Sequence, residues 1–208
     1  GRPPAMRRPP RGVGVLRRGP MATNIEIEEA FSRNRLAGEP IPGDVKILLG
    51  HLDELAERTG LRLNWHADWA PWLDTSYLSP EDRRNREIMT NVRAIADVCG
   101  MIAFIAEAED GECYGYWRGP SGAPISGAPL ICFDTEGQFG VRGATFADAV
   151  LTSMPSDCFA WLRDWLRSIG IPVGADGPES IEYPEPDPHP MALLQTSYRH
   201  HLGGGRSG

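Results

Sequence analysis

The chain has 208 residues, 41% of them hydrophobic and 24% charged, which suits one globular domain with flanking flexible segments. No run reaches the roughly 18 apolar residues of a membrane-spanning helix, and Gly12-Val13-Gly14-Val15-Leu16 is too short for the apolar core of a secretory signal, so a cytoplasmic protein is expected. The net charge of −7 divides unevenly: residues 1–20 carry six Arg and no acid, leaving residues 21–208 with 15 basic and 28 acidic side chains, a net of −13 that repels nucleic acid and attracts a basic partner.

Residues 1–23 are rich in Arg and Pro and lack apolar periodicity, so disorder is expected there. A first residue that is Gly, with Met21-Ala22-Thr23 directly after the biased segment, points to upstream sequence translated from a misplaced start. A short helix is predicted from Ile25, Ile27, Ala30, Phe31 and Leu36. From Asp44, the spacing of Val45, Leu48, Leu49, Leu52, Leu55 and Ala56 predicts one amphipathic helix that Gly60 ends. Leu61, Leu63 and Trp65 alternate with polar residues as in a short strand, and Trp65, Trp69, Trp72 and Tyr77 form an aromatic cluster suited first to packing. His66 and Asp68 lack a third ligand at metal-binding spacing, so no metal site is expected. Ser79-Pro80-Glu81-Asp82 predicts the start of a helix running to Cys99, with Ile88, Met89, Val92, Ile95, Ala96 and Cys99 as its buried stripe. Arg83, Arg84, Arg86 and Arg93 are interleaved with acids and read as a solvated face.

Residues 101–151 carry the densest strand and turn signals. The apolar run Met101–Ala106 suits a strand buried on both faces, and Asp110-Gly111 predicts a hairpin into Cys113–Trp117, because Gly supplies positive φ freely. A Gly- and Pro-rich connection leads to the run Pro129–Phe133, and Asp134-Thr135-Glu136-Gly137 turns it into a fourth strand containing Phe139 and Val141. Thr145 then caps a helix over Phe146–Leu151, with Asp148 three residues beyond it. Ser156 caps another, whose stripe is Phe159, Leu162, Trp165, Leu166 and Ile169. Residues 171–208 are rich in Pro and acids and are expected to form a tail in which Met191–Leu194 docks as a single turn. The fold class is therefore α+β: an antiparallel sheet of about four strands packed with several amphipathic helices, over residues 24–170. Four cysteines at 99, 113, 132 and 158 show no paired spacing and read as buried free thiols.

The succession Phe104-Ile-Ala-Glu-Ala-Glu-Asp-Gly111, Tyr114-Gly-Tyr-Trp117, Pro129-Leu-Ile-Cys-Phe-Asp-Thr-Glu-Gly137 and Thr145-Phe-Ala-Asp-Ala-Val-Leu151 resembles the SUKH superfamily. That family includes bacterial immunity proteins of polymorphic toxin systems and a fungal cell-wall-assembly regulator. The resemblance implies a SUKH-like α+β binding domain without catalytic residues or cofactors, which neutralises a partner toxin by direct contact.

Sequence motifs for hydrolytic, nucleotide-binding and dinucleotide-binding sites are lacking, which favours binding over catalysis. An acidic body and aromatic hairpin predict a partner-binding surface of Asp110, Glu112, Tyr116, Trp117 and Glu136, in which aromatics anchor and acids steer a basic protein such as a toxin domain. Two alternatives remain open on sequence alone: a hydrolase that uses His66, Asp68 or Asp110 in a cleft, and a regulatory or scaffold protein of the same fold.

Overall fold

In the computed structural model, which describes residues 23–203, the element at the centre is strand β2, Ile102–Glu107, buried along nearly its whole length. Its side chains serve two cores at once: Ile102 and Phe104 point into one apolar layer, and Ala103, Ile105 and Ala106 into the other. Four further strands complete an antiparallel meander in chain order: β1 (Arg62–Leu63), β3 (Cys113–Trp117), β4 (Leu130–Phe133) and β5 (Phe139–Gly143). β1, foreseen as a strand, adds a fifth member at one edge by pairing Arg62 with Glu107 and Leu63 with Ala106. The expected disorder of residues 1–23 falls outside the described residues except for Thr23.

Among the described residues, seven α-helices cover the two faces. On the first face lie α1 (Asn24–Arg35), α2 (Gly43–Leu49), α3 (Leu52–Thr59), α5 (Phe146–Thr152) and α6 (Phe159–Ser168), all contributing to one core. On the second lie α4 (Arg86–Cys99) and α7 (Pro190–Gly203), with Trp69 and Trp72 beside them. Trp72 stacks on Phe104 at 4.2 Å between ring centroids and meets Trp69 edge-on at 5.2 Å, so these two rings of the aromatic cluster are packing elements. Arg35 fastens their loop from α1 by donating to the carbonyls of Trp69 and His66.

The local start signals act largely as their chemistry dictates. Thr23 and Glu26 form a reciprocal capping box for α1, and Thr145 and Asp148 form one for α5. Three boundaries differ from expectation; in the first, Ser156 caps no helix but opens a short turn at Ser156–Cys158, and α6 begins at Phe159 without a side-chain cap. The single helix predicted from Asp44 to Gly60 breaks at Gly50 and His51 into α2 and α3, since His51 leaves helical geometry and Asp53 and Glu54 start a new positive helix end. Ser79 and Asp82 do exchange their reciprocal bonds, but these close only a short turn at Asp82–Arg84. Asn85, in extended backbone, starts α4 instead by accepting from the Glu87 and Ile88 amides. The inner face of α4 is Thr90, Ala94, Val98 and Cys99, while Ile88, Met89, Val92, Ile95 and Ala96 are only half-buried.

The largest difference lies beyond Gly170. In place of a loose tail, Ile171 and Ile181 are buried in the first core, and Arg167 and Arg163 donate to the carbonyls of Val173 and Asp176, which ties the Pro-rich segment to α6. The chain then forms the four-turn helix α7, with Leu194 buried and Met191, Leu193 and Tyr198 packed on the second core. Asp97 of α4 accepts from Ser197 at 2.5 Å and pairs with His201 at 2.7 Å, and Arg86 donates to the Leu202 carbonyl. The folded unit therefore extends beyond residue 170.

Asp44, at the start of α2, accepts from the Ala147 amide at 2.9 Å and so links α2 to α5. Burial pushes its pKa up against the pull of backbone amides from α2 and α5. Because the folded-state pKa lies above the unfolded one, the stability this group supplies is full below the unfolded-state pKa and is lost as pH rises through the folded-state value. Asp44→Asn, which keeps an acceptor for Ala147, is expected to gain on the parent in urea midpoint as pH rises from acid to neutral. A pH-independent difference between the two proteins would contradict this.

Candidate functional site

The two hairpin turns lie at the same end of the sheet and have the same construction. In the first, the Ala108 amide donates to the Glu112 carbonyl at 2.8 Å and the Gly111 amide to the Ala108 carbonyl at 3.0 Å, with Gly111 at φ +95°. In the second, the Asp134 amide donates to the Gln138 carbonyl at 3.0 Å and the Gly137 amide to the Asp134 carbonyl at 3.2 Å, with Gly137 at φ +82°. Each is a three-residue loop with a left-handed Gly at its end, rather than the two-residue Asp-Gly link predicted for the first. A side chain at Gly111 would meet the Thr135 methyl at 3.6 Å, so the turns stand side by side. Glu109, Asp110 and Glu136 project from them into solvent.

Next to the first turn is an open cleft of about 380 Å³, bounded by the end of α3, the β2–β3 turn and the end of α5. Glu57, Arg58, Glu109, Asp110, Glu112 and Tyr114 supply its polar lining. Gly60 ends α3 in the left-handed conformation directly under Glu109, which brings the helix end and the turn together.

Glu112 is the one predicted acid that is held inside the structure. Alternation along β3 puts Glu112 and Tyr114 on one face, and the register brings Cys132 opposite Tyr114. Tyr114 donates its hydroxyl to Glu112 Oε2 at 2.7 Å, the Cys132 thiol donates to the same oxygen at 3.4 Å, and Arg142 of β5 lies 3.7 Å from it. Burial pushes the Tyr114 hydroxyl far above its ordinary value, with Cys132 and Glu112 adding to the effect. Burial, then Glu112, pushes the Cys132 thiol up to about 12. Both groups therefore favour their protonated forms and act as donors to the Glu112 carboxylate. A native-state thiol assay is expected to react readily with half-buried Cys158 alone, and with buried Cys99, Cys113 and Cys132 only after denaturation. Rapid native labelling of Cys132 would contradict the burial of this cluster.

The predicted surface residues thus divide. Asp110 and Glu136 are exposed on adjacent turns; the Asp110 carboxylate also accepts the Glu112 amide at 3.2 Å. Tyr116 and Trp117, expected as exposed anchors, are each only 3% exposed and belong to opposite cores. This is a correction with a simple cause: a strand covered on both faces sends both members of an adjacent aromatic pair inward. His66 and Asp68 are exposed on the loop after β1, and neither lines the cleft beside Asp110. Among the described residues no three His, Cys, Asp or Glu side chains are grouped to hold a metal ion, and no helix is long and apolar enough to cross a membrane.

One exposed aromatic lies outside the set expected from the sequence. Trp161 of α6 is 48% exposed, and the guanidinium of Arg58, which lines the cleft, sits 4.8 Å from its ring centroid. Its signal in the sequence is its place outside the Phe159, Leu162, Trp165, Leu166 stripe, which leaves a Trp on the outer face of an amphipathic helix. No protein-family model, curated protein or solved structure matches the chain.

Proposed function

We propose that this protein is a non-catalytic, protein-binding domain that captures a basic partner through the acidic turn end of its sheet, in the manner of the toxin-neutralising immunity proteins it resembles. The observation that carries this reading is the placement of Glu109, Asp110 and Glu136 in solvent on two adjoining rigid turns, with Glu57 across the cleft. On a body with a net charge of −13 over residues 21–208, such an edge concentrates negative potential where a positively charged surface arrives. Three-residue turns closed by left-handed glycines set the backbone from which the acids project. Tyr114 and Cys132, which favour their protonated forms, both donate to Glu112.

The test is co-expression with the products of the flanking genes. A flanking product that arrests growth alone, is tolerated when this protein is present, and elutes with it as a complex supports the proposal. Flanking products that neither arrest growth nor bind would count against it, and a metabolic operon would direct attention to the hydrolase alternative.

A further inference from the structure

β5 is an outer strand of the sheet, and the bonding of its hairpin fixes which of its main-chain groups face outward. The Asp134 amide pairs with the Gln138 carbonyl across the turn, so in the alternating pattern of an antiparallel ladder Phe139 and Val141 direct their N–H and C=O groups away from β4. The Phe139 N–H does so, donating off the sheet to Met191 Sδ at 3.3 Å. No described residue bonds the Val141 N–H or C=O. The side-chain positions beside them are open as well. Gly140 is exposed, and a Cβ there would meet nothing within 4 Å. Val141 is half-buried on the second core, and Arg142, which approaches Glu112 on the first face, keeps a side chain 40% exposed. The opposite outer strand, β1, has only two residues, so β5 is the longer unpaired edge.

We propose that β5 is a self-association edge, at which a second copy of this chain adds its own β5 antiparallel across a two-fold axis at Val141 and so joins two five-stranded sheets. Three features select a second copy as the occupant. A residue on such an axis bonds its own counterpart, so the free donor and free acceptor of Val141 satisfy each other in both directions. The same axis sets Val141 beside Val141 on the side of the second core, a β-branched cross-strand contact. It also sets Arg142 of each copy opposite Gly140 of the other, where the missing side chain leaves space for it. Each chain carries a net charge of −7, so long-range repulsion opposes the encounter of two copies and added salt, by screening it, favours the dimer. That response is opposite in sign to the capture of a basic partner, which screening weakens.

The experiment is sedimentation velocity of the full chain over a concentration series at low and high salt, repeated on Val141→Pro and Gly140→Lys. Val141→Pro removes an N–H that makes no bond to β4, a place where an edge strand tolerates proline. Gly140→Lys adds a side chain into open space and sets a second cation opposite Arg142 of the other copy. Thermal melting verifies that each variant folds; should the proline variant fail to, Gly140→Lys decides alone. The expected result is a reversible monomer–dimer equilibrium that strengthens with salt. Val141→Pro should weaken it about tenfold or more through the loss of two main-chain bonds, and Gly140→Lys severalfold at low salt. A parent that stays monomeric at every concentration and salt would overturn the proposal. A dimer that salt dissolves, as one held by the Arg-rich residues 1–20 would be, or a dimer that the folded variants leave intact, would overturn it equally. None of these outcomes bears on the acidic-edge reading, whose acids all variants retain.

Discussion

Gly115→Ala is expected to destabilise the protein by about 3 kcal/mol or more, at or beyond the upper end of the usual cost of overpacking a filled core. A Cβ at position 115 would lie 2.6 Å from the Ala103 carbonyl oxygen, 2.6 Å from the Phe104 Cα and 2.7 Å from the Ile102 Cγ2. Two of those three neighbours are backbone atoms of β2, which cannot rotate away as a side-chain tip could. The register explains the crowding: Gly115 sits opposite Phe104, where β2 shifts register before Ala106 and the backbones close up. Phe104 has no room to retreat, because Trp72 lies on it at 4.2 Å. Urea titration of the variant is the check; parental stability would mean that β2 and β3 do not pair in this register.

Trp117→Ala is expected to cost about 3 to 5 kcal/mol, the range for removing a buried aromatic ring. The ring is 3% exposed among Phe104, Ile131 and the inner side of α4. This outcome separates a core residue from a binding anchor. Removal of an exposed anchor would speed dissociation of a partner and leave the melting temperature in place, whereas loss of this ring should lower the melting temperature by many degrees with no partner present. A variant as stable as the parent would return Trp117 to the surface.

The sheet was legible because its turns are written in backbone chemistry. Gly111 and Gly137 occupy left-handed positions that the sequence marks with Asp-Gly and Thr-Glu-Gly, and the apolar runs on either side leave few other pairings. The fate of Tyr116 and Trp117 was not legible from β3 alone. It depends on whether helices cover one face or both, and the second cover comes in part from α7, some 70 residues later in the chain. Helix α7 itself was concealed by composition: a Pro-rich, acidic approach and polar ties at Ser197 and His201 give little apolar periodicity, so its order arises from contacts with α4. The break between α2 and α3 was concealed in the opposite way, since Val45, Leu48, Leu49 and Leu55 reach one core from both sides of it. At the candidate site, the exposed acids followed from turn position. Glu112 did not, because its partners Tyr114, Cys132 and Arg142 come from three adjacent strands.

If the acidic turn end steers a basic protein partner, the quantity it governs is the association rate constant, measured across a salt series. The comparison is between the parent and a Glu109→Lys, Asp110→Lys, Glu136→Lys variant, against the flanking product identified by co-expression. All three side chains are exposed, and Glu112 is left untouched because it braces β3. The proposal predicts that the variant associates about tenfold or more slowly at low salt, that the gap narrows as ionic screening shortens the reach of the charges, and that dissociation changes far less. Equal association rates for the folded variant and the parent at low salt would contradict it.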